Sequence, residues 1–234
     1  MTDYRSLFEE HYGTASLSDA AFRVGVPVGV APAGLVPLKP EDKLAGPAVT
    51  VEANNDLVSI IGAVHGAREG DVVVIGNRTR EVALIGDLIA AEAARKGLGG
   101  FVIDARVRDR LEVERSGVPV GCHGLIPVGP LKLSADEKGI GQANVAIQLG
   151  QATINPGDWA FGDSDGVIFV AEAHLERVFE QAETTSQREA ALTEAIGSGE
   201  ALGDLLGVDA FLNRREQDPG ADFNQHLAEL GRAI

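Results

Sequence analysis

Apolar residues in the middle of the chain alternate between short continuous runs and longer segments with helical spacing. Three runs have the length and composition of buried strands: residues 47–51, 72–76 and 101–104. Residues 57–68 have helical spacing, and residues 83–96 are rich in Ala and Leu and predict a helix after Gly86. The order of these segments predicts strand–helix–strand units on a partly parallel sheet.

The two flanks of this region have different patterns. Near the N-terminus, residues 4–12 predict a short helix, Ser18 suits the cap of a second helix, and the Gly- and Pro-rich residues 26–40 predict a loop. Beyond residue 118 the pattern favours strands. One strand is expected at residues 145–149, and an Asp-Gly pair within residues 162–166 predicts the turn of a hairpin.

From residue 171 onward the pattern is helical. Residues 173–196 predict one long helix, and residues 202–214 and 224–232 predict two more. The chain is therefore expected to divide into an α/β domain with N-terminal helices that carries the chemistry, residues 1–170, and a helical tail, residues 171–234. A tail of this length is expected to pack at a subunit interface.

The charge balance narrows the classes of partner. With 35 acidic and 20 basic residues the chain has a formal net charge of −15. Such a surface repels a phosphate backbone, which argues against nucleic acid as a partner. A small anionic substrate remains compatible, because an Arg, a metal ion or a helix N-terminus can reverse the field at one site.

The cysteine content and the apolar pattern of the sequence indicate the cellular compartment of the protein. Cys122 is the lone cysteine, which excludes an internal disulfide and a zinc site built from cysteines. We expect it to be a buried, inert thiol rather than a nucleophile. The first residues carry acids and no apolar signal-peptide core. The sequence also has no run of about 18 apolar residues, the length that is needed to span a membrane. We therefore expect a soluble, cytoplasmic protein with no membrane partner.

Three charged residues occupy positions where ligands collect in α/β proteins. Asp87 lies at the start of the helix predicted after Gly86, and Arg108 and Asp109 follow the strand predicted at residues 101–104. In open α/β sheets, ligands bind beyond the carboxyl ends of strands. The three side chains are therefore expected to face one pocket.

These residue types suit the binding of a small oxo-acid. A carboxylate can hold a hard cation such as Mg²⁺, an Arg can clamp a substrate carboxylate at two points, and a second carboxylate can activate a water. The N–H groups of Leu88 and Ile89, in the first helical turn, would be unpaired donors for an anion. The alternative is structural: Asp87 would cap its helix, and Arg108 and Asp109 would form a surface ion pair.

The spacing and surroundings of the three charged residues resemble a known family. Asp87, twenty intervening residues and then Arg108-Asp109 match the pattern of the 4-hydroxy-4-methyl-2-oxoglutarate/4-carboxy-4-hydroxy-2-oxoadipate aldolases, which are class II pyruvate aldolases. Flanking motifs in the same order extend the resemblance over residues 17–170: GDVVV at 70–74, GDLIA at 86–90, GGFVID at 99–104, VRD at 107–109, GVPV at 117–120, PGD at 156–158 and GDSDGV at 162–167. The same superfamily includes protein-binding regulators of ribonuclease activity, and that role is the alternative function.

The resemblance implies a role for each site residue. Asp109 would bind a divalent metal, Mg²⁺ or Mn²⁺, and Arg108 would hold the carboxylate or carbonyl end of the pyruvate part of the substrate. Asp87 would orient a water, held by the metal, that takes the substrate hydroxyl proton. Contacts to the pyruvate part would come from a short run of the backbone: Gly86, Leu88 and Ile89.

The resemblance also implies a reaction, an assembly and a fold. A 4-hydroxy-2-oxo diacid would be cleaved to pyruvate and a second oxo-acid, with oxaloacetate decarboxylation as a side activity. The protein would form a homotrimer or homohexamer, whose sites are completed by an acidic residue of a neighbouring helical tail, either Glu189 or Glu200. The fold would be a layered, mixed-sheet α/β domain of the phosphohistidine-swivelling type with C-terminal helices.

Two further groups of residues have both a functional and a structural interpretation. Asn54, Asn55 and Asp56 lie where the resembled family often has an Asp-Asn pair facing the site, and they would either contact the substrate or form a turn. His123 would either line the pocket or be a hydrogen-bonded structural residue. None of the 5 histidines has metal-ligand spacing.

The predicted hairpin contains acids that could suggest a second metal site. Asp163 and Asp165 are explained better by the hairpin turn itself, since Asp favours turns through bonds to its own backbone. Trp159, in the same hairpin, is expected to lie in the core.

Overall fold

A computed structural model describes residues 2–130 and 141–231 of the chain. The chain forms two compact units, which divide between Val178 and Phe179. The helices are α1 (Tyr4–His11), α2 (Thr14–Arg23), α3 (Leu57–Gly66), α4 (Asp87–Lys96), α5 (Arg110–Ser116), α6 (Leu175–Gly197), α7 (Leu202–Leu205), α8 (Val208–Gln217) and α9 (Phe223–Glu229). The strands are β1 (Gly29–Val30), β2 (Val36–Pro37), β3 (Leu44–Glu52), β4 (Val72–Gly76), β5 (Ala83–Ile85), β6 (Gly100–Ile103), β7 (Arg106–Val107), β8 (Val120–Cys122), β9 (Gln142–Ala143), β10 (Ile147–Leu149), β11 (Ala152–Ile154), β12 (Trp159–Asp163) and β13 (Gly166–Val170).

The first unit is built on a mixed sheet with the strand order β1-β13-β12-β3-β4-β6-β8-β2, and β9 also pairs with β3. β3, β4, β6 and β8 are mutually parallel along this order. The pairs that flank them are antiparallel. β5 and β7 form a separate parallel pair, and β10 and β11 form a separate hairpin. The predicted mixed α/β architecture with partly parallel strands is thus confirmed, while its assignment to the phosphohistidine-swivelling type stays a prediction.

Both faces of the parallel strands are buried, which explains their continuous apolar runs. Successive side chains of a strand point to opposite faces, so alternate residues enter different cores. One core joins the central strands to α3, α4 and α5 through buried residues: Val73, Ile75, Phe101, Ile103, Ile60, Val64, Ala90, Ala93 and Val113. The other core joins the same strands to the β10–β11 hairpin: Val72, Val74, Val102, Ile147, Leu149, Ala152 and Ile154.

The start of α2 differs from its prediction. Ser18 lies inside the helix, which begins at Thr14 with Gly13 as the N-cap. The N–H and Oγ of Thr14 both donate to the Asp163 carboxylate at 2.7 Å. A residue far away along the chain therefore satisfies this helix end, which is why a local pattern placed the cap wrongly.

The predicted hairpin turn is confirmed, and Asp side chains stabilise two further turns. β12 and β13 form the predicted hairpin. The Asp71 carboxylate accepts the Arg68 N–H at 2.7 Å, and the Asp158 carboxylate accepts the Asn155 N–H at 2.8 Å, so both acids stabilise their own Gly-Asp turns. The segment 26–40, which was expected to be a loop, includes the two short strands β1 and β2.

The second unit is helical, as predicted. The expected single helix at residues 202–214 is wrong, because Gly207 adopts a φ of 61° and separates α7 from α8. The rings of Phe211, Phe223 and His226 pack together between α8 and α9. The role of this tail at a subunit interface stays a prediction. In the parts of the chain that the structure describes, no helix is both long and apolar enough to cross a membrane.

Candidate functional site

The predicted site residues lie where two short parallel strands end side by side. β5 runs into Gly86 and then into α4, and β7 runs into Arg108 and Asp109 and then into α5. Ile85 pairs with Val107 across the two strands, and the Arg108 N–H donates to the Ile85 carbonyl oxygen at 3.0 Å. This pairing brings Asp87 close to Arg108 and Asp109, although twenty residues separate them along the chain.

A cleft of about 300 Å³ opens at this place, which is large enough for a small organic acid. Its lining includes every predicted substrate-binding residue: Gly86, Asp87, Leu88, Ile89 and Arg108. Leu57, Ile61 and Pro130 contribute to the same wall. Asp109 lies just outside this lining, in an adjoining hollow that it shares with Arg108.

Asp109 has an unusual backbone and an unusual side-chain contact. It is the N-cap residue of α5 with a φ of 56°, a left-handed conformation that costs a non-glycine residue about 1–2 kcal/mol. Its carboxylate makes no capping bond to α5. Instead, its Oδ2 lies 3.4 Å from the Asp87 N–H, at the start of α4, and 3.3 Å from the Arg108 Nε. Of the structural alternatives, the ion pair between Arg108 and Asp109 is present, whereas Asp87 is not the cap of α4, whose N-cap is Gly86.

Gly86 and Gly129 allow the backbone to approach this ion pair closely. A Cβ atom on Gly86 would lie 2.6 Å from Asp109 Oδ2 and 3.3 Å from Arg108 Nε. A Cβ atom on Gly129 would lie 2.7 Å from Arg108 Nη1. Side chains at these two positions would displace the charged groups, so glycine keeps the space that they occupy.

Asp87 is the first residue of α4 and is exposed. Its Oδ1 accepts the Leu88 N–H at 2.7 Å, so the Leu88 amide is engaged rather than unpaired as the sequence suggested. With Asp109 Oδ2 close to the Asp87 N–H, both carboxylates lie at the positive end of the α4 dipole. That end of the helix therefore attracts negatively charged groups.

The residues around Asp109 could bind a hard cation only with one or two protein ligands. Among residues 2–130 and 141–231, no group of three or more His, Cys, Asp or Glu residues is placed to share a metal ion. Mg²⁺ keeps several of its waters and is commonly bound by one or two carboxylates together with the substrate. The half-exposed carboxylate of Asp109, which its own helix does not use, matches that demand.

Asn54, Asn55 and Asp56 form a turn at the end of β3. Asn54 and Asn55 have φ values of 52° and 59°, and the Asn55 N–H donates to Asn77 Oδ1 at 2.8 Å. Asp56 caps α3 by accepting the N–H groups of Val58 and Ser59. The turn interpretation is confirmed, and none of the three lines the cleft beside Arg108.

His123 and Cys122 are structural residues. His123 Nε2 lies 2.9 Å from Asp104 Oδ1, and its side chain is 9% exposed. Burial lowers the pKa of His123, as does the nearby charge of Arg80, while Asp104 acts in the opposite direction. Burial raises the pKa of Cys122, and its Sγ lies 3.6 Å from the Gly124 carbonyl oxygen, as expected of an inert thiol.

The acids of the β12–β13 hairpin serve the fold. Asp163 is buried and accepts the N–H of Asp165 at 3.0 Å in addition to its two bonds from Thr14. Trp159 is half-buried and packs against the rings of Tyr4 and Phe161. The turn interpretation of the two acids is confirmed, whereas Trp159 lies at the margin of the core.

Of the two acids suggested for the neighbouring subunit, Glu189 lies in α6 and is half-buried. Glu200 is exposed before α7. The choice between them stays open.

Some residues of the site were not identified from the sequence. Leu57, Ile61, Gly129 and Pro130 all surround the cleft or the Arg108 side chain. The helical spacing of residues 57–68 predicted a helix. It did not indicate that Ile61 would be 55% exposed beside the cleft.

Comparison with known proteins identifies the family of the chain. The model of the RraA-like family, described as Aldolase/RraA, matches residues 14–169. A relative from Halalkalibacterium halodurans, provisionally named a 4-hydroxy-4-methyl-2-oxoglutarate aldolase, is 33% identical over 183 residues, which is 76% of this chain and 81% of the relative. Several other relatives carry the same provisional name at comparable identity.

Solved structures share the fold. An uncharacterized protein from Pseudomonas syringae pv. tomato has a TM-score of 0.72 at 28% identity, with 85% of this chain and 91% of that chain covered. RraAS2 of Streptomyces coelicolor, described as an unusual member of the RNase ES inhibitor RraA protein family, has a TM-score of 0.68 at 22% identity, with 81% and 95% covered. Since the family model spans well over half of the sequence, the chain belongs to the RraA-like family.

Proposed function

We propose that the protein is a divalent-metal-dependent aldolase that cleaves a 4-hydroxy-2-oxo diacid to pyruvate and a second oxo-acid. The observation that carries this proposal is the position of the Asp109 carboxylate. It is turned away from its own helix and lies beside the Arg108 guanidinium and the first N–H of α4. A strained residue beside a cleft, whose carboxylate does not cap its own helix, is typical of a functional group rather than of a helix cap.

The reaction requires the C3–C4 bond of the substrate to break. The C4 hydroxyl loses its proton, the C4–O bond becomes a carbonyl, and the electrons of the C3–C4 bond form the enolate of pyruvate. Protonation of C3 then completes pyruvate. Arg108, which lines the cleft, would hold the carboxylate and the C2 oxygen, where negative charge grows, and Asp87 would orient the water that receives the hydroxyl proton.

Asp109 would hold the metal, and the backbone at Gly86, Leu88 and Ile89 would contact the pyruvate part, with the substrate replacing Asp87 as the acceptor of the Leu88 N–H. When bound, Mg²⁺ or Mn²⁺ would supply Lewis-acid stabilisation of the developing enolate charge. Oxaloacetate would lose CO₂ at the same site, because breaking its C3–C4 bond leaves the same enolate. We expect these reactions to take place in the cytoplasm.

Activity should depend on an added divalent cation. After exhaustive chelation, pyruvate release from 4-hydroxy-4-methyl-2-oxoglutarate should fall to the background rate, and Mg²⁺ or Mn²⁺ should restore it. A coupled assay for pyruvate measures this. Full activity of the chelated protein would contradict the metal role of Asp109. The variant Asp109→Asn should fold like the wild type but should be activated less strongly by Mg²⁺.

The protein should also assemble into a trimer or hexamer. Ile61 is 55% exposed and Leu88 is 78% exposed, and both line one groove between α3 and α4 beside the cleft. An apolar groove next to a site favours burial against another subunit. Light scattering should give three or six times the chain mass of 24.4 kDa, and a stable, fully active monomer would contradict this.

The alternative function is regulation of a ribonuclease by protein binding. It draws on the description of the Streptomyces coelicolor relative, whose likeness at 22% identity concerns the fold. A screen of 2-oxo acids in the presence of Mg²⁺ distinguishes the two functions. Pyruvate release supports the aldolase, and the absence of turnover for every 4-hydroxy-2-oxo diacid favours the regulator.

A further inference from the structure

A buried carboxylate lies behind the proposed site and contacts side chains from two other segments. Asp104 follows β6 and is 8% exposed. Its Oδ1 accepts a bond from Arg80 Nε at 2.7 Å, and His123 Nε2 lies 2.9 Å from the same oxygen. Arg80 precedes β5, and His123 follows β8. One carboxylate therefore joins three segments that are distant along the chain.

The same three segments continue side by side toward the site. The Arg106 N–H donates to the Val82 carbonyl oxygen at 3.3 Å, and the His123 N–H donates to the Ala105 carbonyl oxygen at 2.9 Å. On the same edge as the His123 bond, the Val107 N–H donates to the Gly124 carbonyl oxygen at 3.0 Å. The segment after Asp104 is thus held on both edges until it reaches Arg108.

A second contact strengthens the connection to β5. Arg106 Nε donates to the Arg80 carbonyl oxygen at 2.9 Å, so Arg80 is held through its side chain by Asp104 and through its backbone by Arg106. β5 and β7 are 3 and 2 residues long. Strands this short have few ladder bonds of their own, so their alignment depends on contacts at their ends.

The charged network and the proposed site lie at opposite ends of this strand pair. Asp104 is four residues from Arg108, which is roughly 13 Å of extended chain at about 3.3 Å per residue. Arg80 is at the corresponding end of the other strand, which leads to Gly86 and Asp87. A shift between the two strands at the network would therefore change the separation of Asp87 from Arg108 and Asp109.

We infer that Asp104 is a positioning residue, which aligns Asp87 with Arg108 and Asp109 by holding Arg80 and His123. This inference rests on the proposed function. Asp104 does not line the cleft beside Arg108, so its effect would pass through the β5–β7 pair. A displacement of about 1 Å caused by a remote substitution can cost on the order of a hundredfold in rate.

Asp104→Ala and Asp163→Ala form a matched pair that separates positioning from stability. Both carboxylates are 8% exposed and each accepts bonds from distant segments, but Asp163 holds α2 rather than the β5–β7 pair. At a temperature where circular dichroism shows both variants folded, kcat of Asp104→Ala should fall by between about tenfold and a hundredfold. Asp163→Ala should keep kcat within about twofold despite a lower Tm, since Asp163 bonds to Thr14 and Asp165 and does not line the cleft.

Hydrogen exchange provides a readout that does not require activity. In Asp104→Ala, the N–H groups of Arg106, Val107 and Arg108 should exchange faster than in wild type. In Asp163→Ala, these N–H groups should keep their wild-type protection. Equal kcat losses in the two variants, or unchanged exchange at residues 106–108 in Asp104→Ala, would overturn the inference.

The inference stays testable if the wild-type protein is inactive or if Asp104→Ala does not fold. If the wild-type protein releases no pyruvate, the proposed function fails, and the exchange pattern alone decides whether Asp104 aligns the strands. If Asp104→Ala does not fold, Arg80→Gln replaces it, because the Arg80 side chain is 44% exposed and its loss is less disruptive. Arg80→Gln should then reduce kcat and protection at residues 106–108 more than Arg80→Lys, and equal behaviour would contradict the inference.

Discussion

Arg108→Lys should reduce pyruvate formation by about a hundredfold or more while the protein melts close to the wild-type temperature. Lys keeps the positive charge but loses the planar fork that holds a carboxylate at two points. Arg108 also lines the cleft in which, in the proposed reaction, negative charge would grow as the enolate forms. Loss of one preorganised donor of this kind typically costs about 3 kcal/mol of transition-state stabilisation. Steady-state kinetics and thermal melting of the same preparation measure both quantities.

The neighbouring Arg110 provides the matched control. It is also half-exposed, and its Nε pairs with Glu114 on the same helix at 2.6 Å. Arg110→Lys should change stability by less than about 1 kcal/mol, as expected for a surface ion pair, and should leave turnover within about twofold. If Arg108→Lys behaves in the same way, Arg108 is only a surface partner of Asp109, and most of the case for an aldolase disappears.

The sequence predicted the central strands and the β12–β13 hairpin well because their signals are local, whereas it missed short strands such as β1 and β2. The apolar runs at residues 72–76 and 101–104 are continuous because both faces of these strands are buried. The first residue of α4 follows from Gly86 and the Ala-rich segment after it, and a left-handed Gly97 ends the helix. Errors arose where distant residues decide the structure, as at the start of α2, which Asp163 holds.

The charged residues of the candidate site were predictable from the sequence, but their contacts and the apolar residues beside them were not. A strand followed by charged residues predicts a site at the sheet edge, and the structure places Asp87 and Arg108 in one cleft. The left-handed φ of Asp109 and the bond of its carboxylate across to α4 have no local signature, since they depend on the β5–β7 pairing. Short strands of this kind have too few residues for a periodic pattern.

The close approach of Gly86 and Gly129 to the Arg108–Asp109 pair could not be predicted from the sequence either. Gly86 and Gly129 are two of 29 glycines, most of which belong to turns or ends of elements. Only the three-dimensional structure shows that a side chain at either position would occupy the space of the Arg108–Asp109 pair. These glycines therefore offer a test of the site geometry that changes no charged residue.

Gly86→Ala should reduce turnover by between about tenfold and a hundredfold with a small effect on folding. The added Cβ would lie 2.6 Å from Asp109 Oδ2 and 3.3 Å from both Cγ and Nε of Arg108, so the carboxylate must move. Gly86 has a φ of −144°, which alanine adopts without strain, and the displaced group is the end of a half-exposed side chain. The cost therefore falls on the alignment of the charged groups rather than on the backbone.

Gly66→Ala is the control, because it adds the same methyl group at the end of α3 with no atom within 4 Å. Alanine is favoured over glycine in helices by up to about 1 kcal/mol, so this variant should melt at or slightly above the wild-type temperature with unchanged turnover. For Gly86→Ala, the Mg²⁺ concentration that gives half-maximal rate should also rise, since Asp109 is the group displaced. Wild-type kinetics and wild-type Mg²⁺ dependence in Gly86→Ala would show that the Asp109 carboxylate is free to move without loss, and the proposed site would then have to be abandoned.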